Sequence, residues 1–83
     1  MRSEEIYRHL HQEPFRPFRL RLSNGIVHEI RHPEMAMPTA SCVIVGLPAK
    51  DALEPAVGDY VIVSLIHIVQ LEPLEIAVSP SNN

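Results

Sequence analysis

Tryptophan is absent from this sequence, and two phenylalanines and two tyrosines are all that stand in its place. No aromatic residue alternates with the arginines, so a platform on which nucleic-acid bases stack has no support in the sequence. The one cysteine, Cys42, excludes an intrachain disulfide and a cysteine-based zinc knuckle. Three glycines are too scattered to form a phosphate-cradling loop. No run approaches the roughly 18 apolar residues that span a bilayer, and the opening MRSEEIYRHLHQE lacks the apolar centre of a signal peptide. A cytoplasmic chain making no membrane contact is expected.

Catalytic patterns are missing too. Cys42 sits in an apolar run without a basic neighbour and reads as an inert thiol. Ser41 and Ser64 lack the setting of a nucleophile elbow. Of the five histidines, His9 and His11 diverge around a helix, and His28 and His32 lie too far apart on one strand to share an ion. A metal set of His32, Glu34 and His67 is geometrically possible, but without recognisable ligand spacing. The expectation is a non-enzymatic chain with no catalytic residue, cofactor or metal site.

What is present is aliphatic and unevenly charged. The apolar fraction of 46% is that of a globular protein, and 83 residues make one small domain with a thin core. Residues 1–32 carry six arginines against four glutamates, whereas 33–83 carry one lysine against six acidic residues. The net charge of −3 disfavours bulk nucleic-acid binding but leaves room for a local basic face.

The stretch 15–33, FRPFRLRLSNGIVHEIRHP, sets two alternating runs around Asn24-Gly25, the strongest short hairpin signal. A two-residue turn would mix charged and apolar residues on one face. A three-residue loop, 23–25, pairs Leu22 with Ile26, Leu20 with His28 and Phe18 with Ile30, and separates the faces. That register requires Gly25 to adopt a positive φ in a bulge. It also sets Arg19 opposite Glu29 as a cross-strand ion pair worth about 0.2–1 kcal/mol.

Upstream, Ser3 suits an N-cap and Glu4 and Glu5 the first turn of a helix over 3–12, which would dock Ile6 and Leu10 and stop before Pro14. Downstream, 33–39 reads as turn, 41–46 as a third strand, 47–59 as a long loop with a helical turn near 50–53, and 60–64 as a fourth strand. A bend at 65–67 then leads to a fifth strand, 68–72. One domain over 1–75 and a mobile tail over 76–83 follow. The fold class is mainly β (α+β): an N-terminal helix and a five-stranded antiparallel, strongly bent SH3-like or Sm-like barrel.

The string F-R-P-F, the polar residue with N-G and the ending H-P-E resemble a family of small uncharacterised bacterial proteins. That family shares an N-terminal helix, a Phe-x-Pro-Phe opening, an Asp/Asn-Gly turn and a His-Pro-Glu/Asp ending. The match covers most of 3–72 and brings no activity with it. The hairpin is also similar to the first strands of Sm-like proteins, which form RNA-binding rings, although their Ile-Arg-Gly-like segment is absent here.

Strands three to five are aliphatic on both faces, more than one short helix can cover. The functional expectation is therefore a protein-interaction module, a homo-oligomer or the docking site of a protein partner. Val43, Val45, Val61, Val63 and Val69 are the candidate interface. The alternative is a nucleic-acid or anion-binding face made of Arg16, Arg19, Arg21 and Arg31.

Overall fold

The computed structural model describes residues 1–49 and 57–74. The expected helical turn near 50–53 and the tail over 76–83 lie outside the described residues. The fold is mainly β: one N-terminal helix and six strands in two small sheets.

Helix α1 spans Ser3–Leu10, with Glu4 and Glu5 in its first turn, Arg8 and His9 in its last, and Ile6 and Leu10 buried. The charges oppose the helix dipole, and the i, i+4 spacing puts both apolar residues on one face. Ser3 is not the cap. It is the first helical residue, Arg2 takes the cap position, and no side chain bonds the free amides there. The helix also stops at Leu10 rather than residue 12, and the His11 amide donates to the Tyr7 and Arg8 carbonyls.

Strands β1 (Phe18–Leu22) and β2 (Val27–Ile30) form the expected hairpin in the bulged register. Phe18 is opposite Ile30, Arg19 opposite Glu29, Leu20 opposite His28 and Arg21 opposite Val27. Leu22 N–H donates to the Ile26 carbonyl at 2.8 Å, Gly25 N–H donates to Leu22, and Gly25 has φ +90°. Asn24 closes the loop by accepting the Ile26 amide on Oδ1 at 3.0 Å.

A 3-10 turn, Pro33–Met35, leads into β3 (Ala36–Pro38), which sequence patterning did not anticipate because three residues ending in proline show no alternation. Strand β4 runs Cys42–Pro48 and β5 Val57–Ser64, so both arms reach into what the sequence presents as a loop. Gly58 permits this. A Cβ there would lie 2.9 Å from the Ala49 Cα. A second 3-10 turn, Leu65–His67, joins β5 to β6 (Ile68–Pro73), as expected of a bend at that place.

The strands form two antiparallel sheets, ordered β2-β1-β6 and β3-β4-β5. No closed barrel is found among the described residues, since no ladder joins one sheet to the other. The sheets meet instead through side chains. Phe18, Leu20 and Ile30 from one, Val43 and Val45 from the other, and Ile6 from the helix are almost fully enclosed in one cluster.

Replacing Ile6 by alanine is expected to lower unfolding stability by about 2–5 kcal/mol, because no other residue of α1 can fill that space. Gly25→Ala meets no neighbouring atom and is expected to cost about 1–2 kcal/mol from backbone strain alone. Urea titration of both variants checks these values.

Candidate functional site

The period-two geometry of a strand turns each sheet into an inner and an outer face. Outer residues of β1 and β6 are Arg19, Arg21, Gln70 and Glu72, with Glu29 and Val27 on β2. The third strand changes the pairing expected from the hairpin alone. Glu72 stands opposite Arg19, and its carboxylate accepts two bonds from Arg21, from Nε at 2.9 Å and Nη2 at 3.3 Å. Arg19 Nε lies 3.6 Å from Glu72 and has no hydrogen-bond partner among the described residues. Glu29, directly across from Arg19 in the register, instead accepts from Arg31 at 2.9 Å, just past the end of β2. The expected Arg19–Glu29 pair is thus replaced by Arg19–Glu72 and Arg31–Glu29 contacts. Arg16 is exposed ahead of β1 and shares a small groove with His9 and Gln12. Of the four candidate arginines, three therefore face carboxylates.

The hydrogen bonds from Arg21 are the main cause holding the Glu72 carboxyl below the usual glutamate range, against an opposing pull from burial. The same contact raises the Arg21 guanidinium.

The β3-β4-β5 sheet differs. Val43, Val45 and Val63 are buried in the chain's own core and Val61 packs against it, so four of the five candidate interface valines point inward. Side chains already enclosed by their own chain have no surface left to offer a partner. Only Val69, on β6, is exposed. What faces out is the opposite parity. Met37, Ile44 and Ile62 stand side by side in one row across all three strands, and Tyr60 follows in the next row opposite Gly46. Met37 is 58%, Tyr60 59% and Ile62 62% exposed, with Ile44 half-buried between them. Tyr7 of the helix extends this apolar surface, lining with Met37 a groove of about 570 Å³. Sequence reasoning missed these residues because both parities are aliphatic: nothing within CVIV or VIVS marks which side faces the core.

The described nucleophiles and histidines lie apart from one another, with a single close pair at Ser23 and His67. Cys42 Sγ is 3.1 Å from Thr39 Oγ1, and that hydroxyl chiefly holds the turn between β3 and β4 by accepting the Cys42 amide. Ser23 Oγ and His67 Nδ1 are 3.4 Å apart, too long and too exposed for an activated dyad. His67 lies at the hairpin tip, where its carbonyl accepts the Ser23 amide, while His32 sits beyond the other end of β2. The candidate set of His32, Glu34 and His67 is therefore not brought together. Among the described residues no group of three potential metal ligands occurs, and no helix is long and apolar enough to cross a membrane.

No family model matches the chain, and neither the curated proteins nor the solved structures give a match.

A lowered carboxyl pKa links Glu72 to stability. The unfolded chain binds the proton more readily, so the contribution is complete above the ordinary glutamate value and fades as pH falls through the folded one. Glu72→Gln is expected to flatten the acid side of the stability–pH curve, read as thermal midpoints between neutral and acidic pH.

Proposed function

We propose that this chain is a non-enzymatic protein-interaction module that associates with further copies of itself through the β3-β4-β5 sheet, by its outer face or its edge. The observation that carries this reading is the row Met37–Ile44–Ile62, continued by Tyr60: adjacent apolar side chains with no charge among them. Exposed apolar surface of this kind marks contact sites in proteins that otherwise dissolve well. The expected docking half of the chain is kept, with the docking side chains moved from the valines to their neighbours.

The element order fits a strongly bent SH3-like or Sm-like barrel left open. In that reading β2 and β3 are one strand interrupted by the Pro33–Met35 turn, and β6 returns to β1 after the turn Leu65–His67. The likeness to small bacterial proteins with the Phe-x-Pro-Phe, Asn-Gly and His-Pro-Glu signature accords with a module of this size. A chain with a single cysteine suits the reducing cytoplasm. Nucleic-acid binding through Arg16, Arg19, Arg21 and Arg31 is the weaker reading, because Glu72 and Glu29 already occupy three of these cations.

Light scattering of the purified chain is expected to give a dimer or larger species, and Ile62→Lys a monomer. As Ile62 is a surface position, that change is expected to alter folding stability by no more than about 0.5 kcal/mol. A wild-type monomer at high concentration would defeat the proposal. Salt-sensitive retention of RNA that is lost in Arg19→Glu/Arg21→Glu would favour the alternative.

A further inference from the structure

Four strands end the two sheets, and three of those edges carry devices that discourage pairing with another chain. Strand β2 is four residues long and charged at Glu29. Strand β3 has three residues, ends in Pro38 and has the helix packed near it. Strand β6 ends in Pro73, carries Glu72, and is bulged at Val69 where the register with β1 slips. Strand β5 has none of these. It runs for eight residues without proline or a basic side chain, its one charge being Asp59 near the start.

The β5 edge, unpaired among the described residues, also borders a groove of about 370 Å³, shared with Ser23, Asn24 and His28 of the hairpin. Val61, Ile62, Val63 and Ser64 all line it. Successive strand residues point to opposite faces, so four in succession line one groove only along their backbone edge.

We infer that two copies of the chain join along this edge, their β5 strands antiparallel and centred on Ile62, each placing residues 60–64 in the groove beside the other's hairpin. This rests on the self-association proposed above and names its geometry.

Parity and charge select the centre. Residues directly opposite each other in an antiparallel pair share a face, so a twofold pairing that keeps core side facing core side is centred on a residue. Centring on Tyr60 brings the two Asp59 carboxylates to diagonal positions, where like charges repel. Centring on Val61 sets Asp59 opposite the core-facing Val63. Centring on Ile62 pairs Val61 with Val63 and Tyr60 with Ser64, and leaves Asp59 outside the paired segment. It also joins the row Met37–Ile44–Ile62 to its own image, giving six apolar residues across a continuous six-stranded sheet.

Two readouts test this. In a Cys42→Ser background, Ile62→Cys is expected to form a disulfide-linked dimer under mild oxidation at least tenfold faster than Asp59→Cys. In the paired arrangement the two copies of position 59 lie about 20 Å apart, six residues along the ladder at about 3.4 Å each. Hydrogen exchange of the wild-type amides in 60–64 is expected to slow as concentration rises through the dimerisation range. Equal cross-linking rates, or the reverse order, would overturn the edge arrangement. So would a dimer whose 60–64 amides exchange as in the monomer, which would point to stacking of the outer faces. Either result leaves self-association standing; a wild-type chain that stays monomeric removes both proposals.

Discussion

Two three-stranded sheets that share no hydrogen-bonded ladder among the described residues are held together by one cluster of aliphatic side chains and Phe18, and the rest of the molecule depends on that contact. Burial of this kind is worth about 1.5–3 kcal/mol per large side chain, so a few residues decide whether the sheets face each other. Ile6 and Leu10 complete the cluster from the helix, which at eight residues is too short to persist alone. Once Phe18, Leu20, Val43 and Val45 are committed inward, the outward residues are no longer free to vary. Arg19 and Arg21 must lie outside one sheet, and Ile44 and Ile62 outside the other.

The two outer faces satisfy themselves differently. On β2-β1-β6 the cations meet Glu72 and Glu29, and the surface is closed by ion pairs within the chain. The arginine excess of residues 1–32 is thus partly balanced by an acid from the acid-rich remainder. On β3-β4-β5 the large apolar side chains left exposed are Met37, Tyr60 and Ile62, which cannot be closed off by ion pairs. The unevenness of charge along the sequence becomes an unevenness between two surfaces.

The hairpin was legible in advance because Asn24-Gly25 fixes a turn and the runs beside it alternate cleanly, leaving one register that separates charged from apolar residues. The last strand and the bend before it were legible for a similar reason, bounded as they are by polar residues and Pro73. Strand β3 was not, since Ala36–Pro38 owes its pairing to β4 rather than to any pattern of its own. The extension of β5 back to Val57 depended on a close approach at Gly58 that only three dimensions reveal. Arg19 was matched to Glu29 because hairpin neighbours are visible in sequence, while Glu72 sits across a strand contributed from far along the chain. The candidate interface failed at the valines for a related reason: where both parities are aliphatic, the inner side is chosen by the opposing sheet.

That distant strand has a consequence for synthesis. Arg21 and Glu72 are 51 residues apart, and the ladder between β1 and β6 joins the first of the described strands to the last. During translation the β1 edge of the early hairpin must wait for its ladder partner until β6 has left the ribosome. Contacts of such long range slow collapse and lengthen the interval in which a nascent chain can be intercepted. Shortening the chain within β6 would therefore bare the β1 edge as well as disturb the core around Ile68.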